Sequence, residues 1–234
     1  MTLGATSNLY VNPSENSFES TLRQGASALG LSLNDTQIAQ LLGYHALIQK
    51  WNKVYNLTAI RDPAEMLTHH LLDSLAIVAP LTRQTAGTAV SMLDVGAGAG
   101  LPGVVVAICC PQISVTCVDA VAKKMAFVQQ VATELKLANL KALHARVETL
   151  TQKYDIITSR AFATLLDFVT GSRAALRSGA EPDSGVWLAM KAKDTAVEVA
   201  ALPADVEVFH VEQLAVPGLD AERCIVWIRK TQFV

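Results

Sequence analysis

Met92-Leu93-Asp94-Val95 runs straight into Gly96-Ala97-Gly98-Ala99-Gly100-Leu101-Pro102-Gly103, an apolar strand-like run followed by a loop almost without side chains. Such a loop lets backbone approach a ligand closely, and Pro102 suits the first turn of a following helix. In the frame Gly98, Gly100, Gly103 it also meets the spacing of a dinucleotide fingerprint, so the glycines alone leave two cofactor classes open. The acids separate them. Asp94 ends the strand where a pyrophosphate would sit, and a carboxylate there repels phosphate. S-adenosylmethionine has no phosphate and carries a sulfonium and an ammonium, which Asp94 would attract directly or through water. A second apolar run ends at Asp119, where an acid accepts hydrogen bonds from both ribose hydroxyls of an adenosine. The competing interpretation is a tight loop with two aspartates that merely end strands.

The elements that must hold these residues are legible in the periodicity. Asn34 can cap a helix with Gln37 at the capping-box position, and Ile38, Leu41, Leu42, His45, Ile48, Trp51 and Tyr55 form one stripe. Asp62, Pro63 and Glu65 start another helix, with Met66, Leu67, Leu71, Leu75 and Val78 on one face. Beyond residue 83, short β-branched runs alternate with helical segments, which predicts a parallel sheet with crossover helices. Strands are expected near Ser91–Val95, Ser114–Val118, Lys141–His144, Asp155–Ser159 and Val186–Met190. Helices are expected over Leu101–Cys110, Ala122–Leu137, Leu165–Leu176 and Thr195–Leu202. Val206–Val211 and Cys224–Ile228 follow without room for a crossover helix and should pair antiparallel. The expected organisation is a disordered tail over 1–16, a helical extension over 17–82 and an α/β catalytic domain over 83–234.

Composition bounds the function. In 234 residues, 51% hydrophobic and 17% charged with a mean hydropathy of +0.31, a large core is available in an ordinary globular chain. No apolar run approaches the roughly 18 residues of a membrane span, and no secretory signal opens the chain, so the expected compartment is the cytoplasm. Cys109, Cys110, Cys117 and Cys224 have neither zinc-site spacing nor disulfide density; no metal is expected. The net charge of −2 argues against a generic nucleic-acid binder, yet residues 121–177 hold 9 Lys/Arg against 4 Asp/Glu between two acidic ends, leaving room for a local RNA-facing patch.

Four blocks carry a family resemblance extending from about Trp51 to Arg229: Lys50-Trp51-Asn52-Lys53 with Tyr55-Asn56-Leu57-Thr58; His70-Leu71-Leu72-Asp73-Ser74; Asp94 to Gly103; and Ser159-Arg160-Ala161-Phe162-Ala163. The chain resembles the bacterial small-subunit ribosomal RNA guanine-N7 methyltransferases, also called glucose-inhibited division protein B. The resemblance implies a class I S-adenosylmethionine-dependent methyltransferase fold: a Rossmann-like, mostly parallel seven-stranded sheet with a C-terminal antiparallel hairpin. It implies 16S ribosomal RNA or the small subunit as partner, and nothing demands more than a monomer. Carried over by position, it makes Gly96 and Leu101 cofactor contacts beside Gly98, Val147 and Glu148 the adenine site, and Arg160 a cofactor-contacting arginine. The sequence departs from the family pattern at Ala97, where a hydroxyl residue is frequent, and at His69, where a basic residue is often found.

Guanine N7 has a lone pair and no proton to lose, so no general base, and hence no catalytic side chain, is required. That suits Ser159-Arg160-Ala161-Phe162, which lacks the Asn/Asp-Pro-Pro-aromatic motif of exocyclic-amine enzymes, and the absence there of the nucleophilic cysteine of a carbon-5 cytosine enzyme also points toward N7. Phe162 offers a stacking face for a flipped guanine, or else is a core aromatic. Lys123 and Lys124 could touch phosphates or be a solvated helix face. Asn56 and His70 are candidate RNA contacts, while Thr58 and Asp73 read better as groups satisfying local backbone. The alternatives are a methyltransferase of another RNA site or a small molecule, a noncatalytic RNA-binding assembly factor, and, distantly, a dehydrogenase.

Overall fold

A computed structural model describes residues 13–160, 164–178, 185–192 and 195–231, with backbone only over 13–16. α1 (Pro13–Ala28) begins inside the segment expected to be tail and leads to α2 (Asp35–Tyr55). Asn34 caps α2 as its sequence implies: its side chain accepts from the Gln37 N–H at 2.9 Å, and Gln37 returns a bond to the Asn34 N–H. Asp62 likewise accepts from Glu65 N–H before α3 (Pro63–Met66). The single helix expected from there is not regular. It widens into a π-helical segment at Leu67–Leu72, returns to α-helix in α4 (Asp73–Leu75), and is followed by α5 (Val78–Gln84).

The sheet then forms from β1 (Ser91–Val95), β2 (Ser114–Asp119), β3 (Leu140–His144), β4 (Ile156–Arg160), β5 (Val186–Ala192), β6 (Val206–Leu214) and β7 (Arg223–Lys230). Their order is β3-β2-β1-β4-β5-β7-β6. The first five are parallel, and β7 lies antiparallel between β5 and β6, as expected for a chain with no crossover helix left to supply. The connecting helices are α6 (Gly103–Cys109), α7 (Ala122–Glu134), α8 (Leu165–Ser172) and α9 (Ala196–Ala200).

Period-two alternation divides the core between two layers. Met92, Val115, Ile156 and Leu188 face a layer built from α6, α7 and the N-terminal helices, while Leu93, Val118, Ile157 and Trp187 face α8 and its surroundings. α2 runs antiparallel to α7: Gln40 donates to the Leu135 carbonyl at 2.9 Å, and Trp51 meets Phe127 with ring centroids 5.5 Å apart. Phe127 also stacks on Tyr44, whose hydroxyl donates to the Ala99 carbonyl at 2.7 Å. The N-terminal helices therefore reach the glycine loop itself. Strand order reverses between β1 and β4, and the crevice beyond the carboxyl ends of strands at such a reversal is where open α/β sheets bind ligands.

Candidate functional site

At the end of β1 the chain turns through Gly96, Gly98 and Gly100, with φ of 66°, 59° and 92°. These left-handed values are strained for any residue with a β-carbon. At Gly98 an added Cβ would find only the Gly96 carbonyl, 3.9 Å away, so the space above the loop is open. At Gly100 it would fall 2.5 Å from Val104 and 3.2 Å from Val128, so that side is closed. The loop's polar groups are tied down. Gly96 and Ala97 N–H donate to the Val118 carbonyl at 2.9 and 3.1 Å, and Gly98 N–H donates to Asp119 at 3.1 Å.

The two acids sit behind the loop, outside the cavity. Asp94 is wholly buried on the α6 side of β1; Oδ2 accepts the Gly103 N–H at 2.8 Å and Oδ1 has no partner. Burial pushes its carboxyl up to about 7, against the lowering effects of the Gly103 N–H and the Arg160 charge. Asp94, expected to attract a ligand directly or through water, thus lies buried behind the loop and does not line the cavity. Asp119 accepts from Gly98 and Val121 N–H groups and from Lys124 Nζ at 3.3 Å, which leaves capacity for one further donor. Lys124 is thereby engaged, whereas Lys123 is exposed.

In front of the loop lies a cavity of about 640 Å³, within the roughly 300–1,000 Å³ typical of small-molecule sites. Gly96, Gly98 and Leu101 form one wall, His69, His70 and Asp73 another, and Arg160 and Arg223 close the side toward β4 and β7. Asp73 is 4% exposed and bridges both arginines, Oδ2 to Arg160 at 2.9 Å and Oδ1 to Arg223 at 3.0 Å. Arg160 also donates to the His69 carbonyl at 2.8 Å. Asp73, expected to serve a structural role by satisfying local backbone, is structural but not local: it ties the N-terminal helices to β4 and β7. His70 bonds Thr58 Oγ1 through Nε2 at 2.8 Å, and Thr58 also accepts the Ile60 N–H at 3.2 Å. His70 Nδ1 is buried without a partner.

Other expected site residues lie elsewhere. Val147 and Glu148 form a short turn after β3; Val147 packs in the α8-side core, and exposed Glu148 lies against Gly171. Asn56 is the left-handed cap of α2, holding Arg61 at 2.7 Å, and does not line the cavity. Phe162 lies outside the described residues. Sequence reasoning missed Arg223 and the ion pair of Lys191 with Glu198 at 2.8 Å, all three on the cavity wall.

Burial and the neighbouring Arg160 push His70 down to about 4, opposite in direction to Asp94. The raised Asp94 adds stability that is complete below its unfolded value of 3.8 and lost as pH rises through about 7. The depressed His70 adds stability that is complete above 6.5 and lost as pH falls through about 4. Burial lowers His45 as well, with the same sign as His70. Across pH 4 to 6.5 the opposing slopes offset one another. Asp94→Asn should unmask the histidines, so that urea-denaturation stability climbs with pH over that window more steeply than in the wild type. Identical profiles for the two proteins would show that the buried carboxyl takes up no proton on folding.

A family model described as rRNA small subunit methyltransferase G matches residues 37–226. The ribosomal RNA small subunit methyltransferase G of Albidiferax ferrireducens is 65% identical over 223 residues, covering 91% of this chain and 97% of the relative. That of Acidovorax sp. is 61% identical over 224 residues, with 92% and 97% covered. Among solved structures, Thermus thermophilus TrmN superposes with a TM-score of 0.54 at 17% identity, over 70% of this chain and 53% of that one. The N-methyltransferase NodS of Bradyrhizobium japonicum, in complex with S-adenosyl-L-homocysteine, gives 0.52 at 13% identity, over 79% and 100%.

Proposed function

We infer the activity from the premise that this chain belongs to the rRNA small subunit methyltransferase G family, whose model covers most of it. Its fold is that of the class I S-adenosylmethionine-dependent methyltransferases, and S-adenosylmethionine is its cofactor. The reaction is methyl transfer to N7 of a guanine in small-subunit ribosomal RNA. The observation that carries this reading is the cavity at the β1/β4 reversal, open above Gly98 and backed by the unpartnered Oδ1 of Asp94. A cleft of this size at the carboxyl ends of the strands suits a nucleoside-sized ligand.

The cofactor, when bound, supplies a methyl group already activated by a sulfonium. The protein's part is alignment. In this reading Gly96, Gly98 and Leu101 present backbone to the cofactor, and Asp119, fixed by two N–H groups and Lys124, keeps an acceptor for a ribose hydroxyl. Val147 and Glu148 stand at the carboxyl end of β3, where an adenine would lie. Arg160 uses one nitrogen on Asp73 and His69, and its remaining donors are available to a carboxylate or phosphate. No side chain is asked to remove a proton, because N7 has none. Action as a monomer is part of this reading, and a ribosomal substrate fits a cytoplasmic place of work; no helix among the described residues is long and apolar enough to cross a membrane.

Small-subunit RNA from cells lacking this protein should lose one N7-methylguanine, and re-expression should restore it, as read by mass spectrometry of nuclease fragments. Unchanged N7-methylguanine in the deletion strain would refute the assignment.

A further inference from the structure

The antiparallel pair α2 and α7 is electrically lopsided. Their only carboxylates, Asp35 and Glu134, lie at one end, while Lys50, Lys53, Lys123 and Lys124 lie at the other. Lys124 is engaged by Asp119, but Lys50, Lys53 and Lys123 are exposed and have no ion-pair partner among the described residues. The same end carries exposed apolar surface. Trp51 and Tyr55 stack with centroids 5.1 Å apart and planes 29° from parallel, Trp51 resting on Phe127 beneath. Tyr55 is 38% exposed, Val54 71% and Val121 38%. Lys123 lies one turn before Phe127 on α7 and so belongs to the end of the pair that carries Trp51 and Tyr55. Three residues past Tyr55, Thr58 already lines the cavity, and α7 starts three residues after Asp119.

We propose that the basic, aromatic end shared by α2 and α7 is the docking face for a single-stranded segment of substrate RNA flanking the methylated guanine, with one base stacked on Tyr55 and phosphates on Lys50, Lys53 and Lys123. This rests on RNA being the substrate. Unpaired cations around a partly open, stacked ring pair are the chemistry that holds single strands, in which bases supply rings and phosphates supply charge. A protein partner would have to bring carboxylates to the lysines and still find an apolar surface over Tyr55.

The test uses the full chain and a small-subunit rRNA transcript. Tyr55→Leu keeps an apolar residue and removes the stacking ring; it should raise the KM for RNA about tenfold while leaving kcat and calorimetric cofactor affinity unchanged and lowering the melting temperature by no more than the lost stack on Trp51 accounts for. The paired Lys50→Gln and Lys53→Gln change should reduce the slope of log affinity against log salt by about 1 to 2. Lys141→Gln, an equal loss per site on exposed β3, should leave that slope unchanged. Wild-type KM and slope in the first two variants, or an equal response from Lys141→Gln, would overturn the docking face. If the wild-type protein binds the transcript with the expected variant effects yet forms no N7-methylguanine, the face stands and the activity assignment falls.

Discussion

Asp73→Ala is expected to cost ~3–5 kcal/mol of stability, because it leaves Arg160 and Arg223 partly buried without the charge that both share. For a chain of this length that corresponds to a fall in melting temperature on the order of 10 °C. Asp73→Asn, which keeps the size and one acceptor, should fall between alanine and wild type. The methyl-transfer rate should fall further than stability predicts, since the same carboxylate fixes the direction in which Arg160 offers its free donors to the cavity. A double-mutant cycle of Asp73→Ala with Arg223→Ala separates the terms. If the bridge is real, Arg223→Ala costs less in the Asp73→Ala background than in the wild type. Strict additivity would mean that the two side chains do not communicate.

Gly103→Ala is the second large effect. Gly103 has ordinary backbone angles for a helix start, so conformational strain is not the reason. An added Cβ would lie 2.5 Å from Cys117 Sγ and 2.8 Å from Asp94 Oδ2, and neither is the loose end of a flexible chain. Asp94 is held by the very N–H of Gly103. Overpacking of this kind costs ~1–3 kcal/mol, and displacing Asp94 would leave its carboxylate without a donor in a buried position. Cofactor affinity by calorimetry should therefore drop more than tenfold. Adding Cys117→Ala removes the sulfur contact but not the carboxylate contact, so stability should recover in part while cofactor affinity stays low. Full recovery of both would place the whole effect on the thiol and remove Asp94 from the account.

The parts of the molecule legible in the sequence are those governed by local periodicity and backbone chemistry. Asn34 and Gln37, Asp62 and Pro63, the alternating strands and the crossover-free pair at the C-terminus all declare themselves within a few residues, and the glycine loop declares its backbone geometry. Side-chain partnerships across the fold do not. Arg223 meets Asp73 from 150 residues away, and nothing around it marks it out from an ordinary charged residue in an acidic stretch. Asp73 looked local because a short acid in a helix usually is; the π-helical segment before it has no sequence signature that periodicity could detect. Asp94 stands out in the sequence by its place before the glycine loop, but its side chain follows the strand's alternation to the α6 face, behind the loop, and counting residues along β1 gives the face and not the depth.

The hydroxyl of Tyr44 on the Ala99 carbonyl changes what counts as a part of this molecule. A boundary drawn before the first strand would separate two lengths of chain that share one hydrophobic core and one loop. The helices at the start are thus a fixed wall of the cofactor loop, and the shared core makes the two segments one folding unit. Because the acceptor is a main-chain carbonyl, any residue at position 99 would supply it, whereas losing the Tyr44 hydroxyl would leave that carbonyl unpaired under the helices.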